Sequence, residues 1–236
     1  MGSPAPTLTS EEADLAERVA CSLRRRAKLK VLEQPSLAVQ RLGFSLVEEY
    51  LGRGIRGLSV SGDKTIRVAL EKYIPRRELT IAHELMELAL PRQIRRGQRR
   101  ERLCQRGAAA FILPSVAFHQ AFRRSRGDLA LLRRWHRWAS WEAIGRRVVD
   151  IFPGTGFTVW TDSTPRRIGF GDELDPAERE AIHQVIASGG RAAVPGRTGV
   201  AIAWRNMDKF SESCAVCLFL GSGLYRSLSE GMSSSM

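Results

Sequence analysis

The sequence predicts an α+β fold, and three observations predict it. Residues 10–30 and 77–151 carry helical signals: capping residues, apolar spacing at three and four, and proline stops. Residues 44–70 and 157–220 carry short alternating apolar runs that read as strands. Apolar residues make up 43% of the 236-residue chain, which is enough for packed cores and excludes wholesale disorder. The length suits one medium domain or two to three small ones.

The elements follow in order. Met1 to Thr9 reads as a loose tail. Ser10 is the expected cap of a helix running to about Lys30, whose Arg24, Arg25, Arg26 and Lys28 suit the negative end of its dipole. A short helix is expected over Ser36 to Leu42, stopped by Gly43. Phe44 to Leu51, Ile55 to Val60 and Lys64 to Leu70 read as strands of a short antiparallel sheet, with Ser61-Gly62-Asp63 as a hairpin turn. Arg77 to Leu90 is strongly helical and ends at Pro91. A second helix covers about Arg99 to Leu113 and ends at Pro114, and a third covers Ser115 to Arg124. Asp128 to Ala139 and Trp141 to Ile151, with Ser140 as cap, form a helix-turn-helix-like unit. Beyond Pro153, strands are expected at Phe157 to Thr161, Arg166 to Phe170, Gly199 to Trp204 and Cys214 to Leu220. A helix over Pro176 to Ser188 lies between them, and the end from Ser227 is frayed. Four parts result: an N-terminal helix (1–34), a first α+β domain (35–125), a helical unit (126–152) and a small α/β domain (153–236).

The formal net charge is +12. Residues 92–147 hold fifteen Arg, no Lys and three acids (Glu101, Asp128 and Glu142), so this window carries the whole excess and the remainder is neutral. A block of this kind attracts phosphates or acidic protein surfaces, and DNA is a candidate partner. It can equally be a solvated helical face in a chain that prefers Arg, 32 to 5 over Lys. The longest apolar run, Ala108 to Leu113, is too short to span a bilayer, and the first 30 residues lack the apolar stretch of an export signal. A cytoplasmic protein with reduced thiols is the expectation.

Chemistry concentrates in Leu79-Thr80-Ile81-Ala82-His83-Glu84-Leu85-Met86-Glu87-Leu88. On a helix, positions i and i+4 share a face, so His83 and Glu87 can hold one metal ion while Glu84 reaches a water beside it. This is the His-Glu-x-x-His zinc pattern with Glu87 in place of the second His. Glu101, near the start of the next helix, is the third candidate ligand. The small residues Ala108, Ala109 and Ala110 let that helix pack closely. The alternative is an amphipathic helix whose Glu84 and Glu87 face water or pair with neighbouring Arg. His119 is a reserve ligand, His136 lies among Trp135, Trp138 and Trp141, and Cys214 and Cys217 read as core cysteines.

The stretch Arg77 to Leu85 resembles the ImmA/IrrE metallopeptidases. So does Glu101 followed by Cys104-Gln105 and by Ala108-Ala-Ala-Phe-Ile-Leu-Pro114. The resemblance implies a minimal zincin-like domain over residues 35–125, with the strand Ile66 to Leu70 on the substrate side. It implies zinc held by His83, residue 87 and Glu101, with Glu84 as general base. It implies regulatory cleavage of a helix-turn-helix repressor in stress response or mobile-element control. The alternative is a catalytically degenerate regulator that binds DNA or a repressor through residues 92–147. Glu87 would make the first shell neutral, a poorer Lewis acid, and would make Mn²⁺ less disfavoured. Residues 153–228 are similar to a reduced GAF-like sensor domain.

Overall fold

Thr9, one residue before the expected cap, opens the first helix, α1 (Ser10–Arg26). Its hydroxyl accepts the Glu12 amide at 3.3 Å while the Glu12 carboxylate accepts the Thr9 amide at 2.8 Å, a reciprocal capping box. The structure, a computed structural model, describes residues 8–60, 62–94, 97–161, 165–169, 174–205 and 213–230. They divide into two units, Met1–Pro114 and Ser115–Met236. Most of the expected tail therefore lies outside the described residues.

In the first unit α1 is followed by α2 (Leu37–Arg41), β1 (Ser45–Glu49), β2 (Gly57–Val60), β3 (Thr65–Ala69), α3 (Ile74–Ala89) and α4 (Gln98–Ile112). The sheet is mixed, in the order β1-β3-β2. β2 and β3 form the expected antiparallel hairpin, but β1 pairs parallel to β3, with Leu46 opposite Ile66 and Glu48 opposite Val68. The physical reason lies in residues 50–56. This connection is too long for a tight hairpin, and Gly52 and Gly54, both at positive φ, turn the chain across to the far edge. β3 is therefore central, and its Ile66 and Val68 are fully buried.

Pro75 sits in the first turn of α3, where its missing N–H costs nothing, and Pro91 follows the helix end. α3 lays Ile81, Ala82, Leu85 and Met86 into the core. α4 packs against both α1 and α3 through Leu103, Cys104, Ala108 and Ala109, all fully buried or nearly so. Each large apolar side chain buried here contributes about 1.5–3 kcal/mol. Arg24 pins the end of α1, donating to the carbonyls of Phe111 at 2.5 Å, Leu29 at 3.2 Å and Lys30 at 2.5 Å.

The second unit begins with α5 (Ser115–Arg124), α6 (Leu129–Trp135) and α7 (Trp141–Ile151). Asp128 caps α6 through the Leu131 amide and Ser140 caps α7 through the Ala143 amide. α6 stops four residues earlier than expected, at Trp135. The helix pair is present, but α7 packs on β4 and has no exposed residue along its length. A single antiparallel sheet follows, in the order β5-β4-β8-β7-β6, from β4 (Thr155–Thr161), β5 (Pro165–Gly169), β6 (Arg191–Pro195), β7 (Gly199–Arg205) and β8 (Ser213–Gly221). α8 (Pro176–Ser188) lays Ala181, Ile182 and Val185 on the face carrying Ala201, Ala203 and Cys217. Two elements escaped the sequence reading. β6 has only Ala192, Ala193 and Val194 as apolar residues between Arg191 and Pro195, and α9 (Ser222–Glu230) begins before the Ser-rich end and continues into it. Residues 231–236 of the expected frayed end lie outside the described residues. No described helix is long and apolar enough to cross a membrane.

Candidate active site

α3 and α4 bring two of the four candidate residues together. His83 Nε2 lies 3.5 Å from Glu101 Oε2, although eighteen positions separate them in sequence. Both are accessible: the His83 side chain is 24% exposed and that of Glu101 53%. Gln105, one turn on, donates to the other Glu101 oxygen at 2.7 Å and steadies it.

Glu84 lies against the sheet, its carboxylate next to Gly57 and still within electrostatic reach of His83 and Glu101. It is buried, and the Ser59 side chain of β2 hydrogen-bonds it. Burial pushes its carboxyl above the ordinary carboxylate range, with Glu87 and Glu101 adding to the rise; Ser59 and His83 pull the other way. Gly57 makes this contact possible. A Cβ there would sit 2.7 Å from both Glu84 Oε1 and the Thr80 methyl. The strand beside Glu84 is therefore β2, an edge strand. Ile66 to Leu70, which the resemblance places on the substrate side, overlaps the central strand β3.

Glu87 is engaged elsewhere. Its Oε1 accepts from Arg100 Nε at 2.8 Å, and its Oε2 accepts from the Cys104 thiol at 3.1 Å. Burial pushes that thiol up, and its hydrogen bond to Glu87 does the same, so Cys104 is a neutral donor. Among the described residues, no group of three or more His, Cys, Asp or Glu side chains is disposed to hold a metal ion. A zinc site of this type needs three protein ligands turned to one point. His83 and Glu101 suit it, but the third candidate ligand, Glu87, is bonded to a guanidinium, so the three-residue set does not fit the ion as arranged.

The remaining candidates have packing roles. His119 stacks on Phe152, with centroids 5.3 Å apart. His136 is buried against Phe118, and Cys217 is buried under α8; the Cys214 side chain lies outside the described residues. Arg100 is the residue that sequence reasoning missed as an individual. The available signal was an Arg directly before Glu101 on a helix facing a displaced carboxylate.

Comparison with known proteins agrees with this architecture. No curated protein matches the chain. A solved structure described as a Mycobacterium tuberculosis transcriptional regulator superposes with a TM-score of 0.65 at 18% identity, covering 95% of this chain and 84% of the other. At that identity the likeness speaks for the fold. The family model of the metallopeptidase-like IrrE N-terminal-like domain matches residues 32–148, which include His83, Glu84, Glu87 and Glu101. Through that segment the chain belongs to the IrrE N-terminal-like family.

Proposed function

We propose that the chain is a cytoplasmic regulator of transcription that engages a helix-turn-helix repressor by binding, using a metallopeptidase-like domain without metal-dependent cleavage. The pairing of Glu87 with Arg100 and Cys104 carries this reading, because it commits the third ligand position to an internal cation. The recognition parts of the domain remain. β2 is an edge strand whose outer backbone groups can pair with an extended segment of a partner. The arginines of residues 92–147 add attraction for an acidic partner or for the DNA that the repressor holds.

A second reading has its own observation. The 3.5 Å approach of His83 to Glu101, beside a Glu84 whose carboxyl is raised, favours a zinc- or manganese-dependent endopeptidase with Glu84 as general base. One experiment separates the two. The purified chain is incubated with a helix-turn-helix repressor encoded beside its gene, with added Zn²⁺, with Mn²⁺ or with chelator. Complex formation and repressor mass are then followed. The expected outcome is a complex and an intact repressor under all three conditions. Cleavage that chelator and Glu84→Gln both abolish would establish the second reading instead.

A further inference from the structure

Arg100 is 6% exposed and spends every donor it has. A guanidinium carries five N–H groups. Nε donates to Glu87 Oε1 at 2.8 Å. Nη1 donates to the Pro91 and Ile94 carbonyls, both at 2.9 Å. Nη2 donates to the Glu87 carbonyl at 2.5 Å and the Leu90 carbonyl at 3.4 Å. The Glu87 carbonyl is among the last four of α3, which have no partner within the helix, and Leu90 is the C-cap residue. One side chain from the first turn of α4 therefore closes the end of α3, ties down the turn that follows and neutralises Glu87. Cys104, one helical turn further along α4, satisfies the remaining Glu87 oxygen.

We infer that Arg100 is a covalently attached cation that does in this chain the structural work a bound metal would do: it clamps α3 to α4 through Glu87. Resting on the functional reading above, this goes further by naming the residue that replaced the ion. The exchange is chemically consistent. The Glu87 side chain supplies the negative charge that a buried guanidinium needs, whereas a neutral His there could not compensate it. The clamp leaves His83 and Glu101 as a two-residue remnant, so restoring a third donor should restore a metal site.

The test uses the full-length chain and reads thermal unfolding and bound metal per chain rather than cleavage. In chelator, Arg100→Gln and Glu87→Gln should each lower Tm by about 5 °C or more. The double variant should lose clearly less than the two losses added, because each single change strands a partner. The wild-type chain should show the same Tm in chelator and in excess Zn²⁺. The pair Glu87→His with Arg100→Gln should bind one zinc ion per chain and regain Tm on zinc addition. Additive losses, or a wild-type Tm that rises with zinc as much as that of the redesigned pair, would overturn the assignment. If Arg100→Gln does not fold, the clamp is read from Glu87→Gln in chelator and from the zinc response of wild type. The two readings fail separately. Cleavage of a repressor by the wild-type chain would sink the functional reading, whereas the Arg100–Glu87 coupling is measured in chelator.

Discussion

His136 sits 6% exposed, 6.0 Å from the Phe118 ring centroid, with no hydrogen-bond partner for its Nε2. Burial pushes its pKa from 6.5 down to about 4. Between those values the unfolded chain binds the proton and the folded chain does not. Stability is therefore full above about pH 6.5 and falls as the pH drops towards 4, by on the order of 3 kcal/mol. Urea midpoints at pH 7 and pH 5 check this, and His136→Leu should flatten the difference. Arg24 is a second residue that acts through its donors. Arg24→Met keeps much of the stem but leaves the Phe111, Leu29 and Lys30 carbonyls without it, so a loss of about 2–4 kcal/mol is expected in chemical unfolding. Both residues were visible in the sequence only as members of a charged or aromatic group. Their burial depends on neighbours far along the chain.

At the scale of elements, the contact of α3 with α4 decides the site. Gly107 allows it: a Cβ at that position would fall on the Met86 side chain. Gly107→Ala should gain up to about 1 kcal/mol of helix propensity and lose about 1–3 kcal/mol to overpacking, for a net loss. Combining it with Met86→Ala, which opens the space, should cost less than the two changes added. Equal or larger losses would place the crowding elsewhere. The helices themselves were legible, because Pro75, Pro91, Pro114, Asp128 and Ser140 mark their ends chemically. The parallel pairing of β1 was not. Apolar alternation at Ile66 and Val68 says which side of β3 is buried, never which neighbour a strand takes or in which direction. β6 was missed for a related reason, since Ala192, Ala193 and Val194 carry too little contrast to reveal a period.

Across the whole molecule, folding redistributes the +12 charge. Of the arginines in residues 92–147, Arg99 pairs with Glu12, Arg100 with Glu87 and Arg146 with Glu142, while Arg147 is fully buried and donates to Ser115. Arg123, Arg124, Arg126, Arg134 and Arg137 remain exposed, Arg137 over the Trp138 ring. Reading of a groove by α7 is disfavoured because that helix exposes no residue. The exposed arginines suit phosphate contact, and retention on duplex DNA through them should fall steeply with salt. Replacing Arg123, Arg124 and Arg126 by Gln should lower the slope of log affinity against log salt, by about 0.9 for each phosphate that is no longer neutralised. An unchanged slope would remove these three from the interface.

What the sequence determined by itself was local and chemical. Helix ends followed from capping and proline geometry, and the family resemblance followed from residues 77–85 and 101–114. The pairing of a glutamate with a neighbouring Arg was already among the alternatives for Glu87. What only the tertiary structure decided was which partner each polar group takes. His83 meets Glu101, Glu84 turns to Ser59, and Glu87 turns to Arg100 rather than to His83. The physical reason is that a side chain's rotamer is chosen by what packing brings within about 3 Å of it. Spacing along one helix fixes directions. The second helix supplies either an ion's remaining ligands or, as here, a cation of its own.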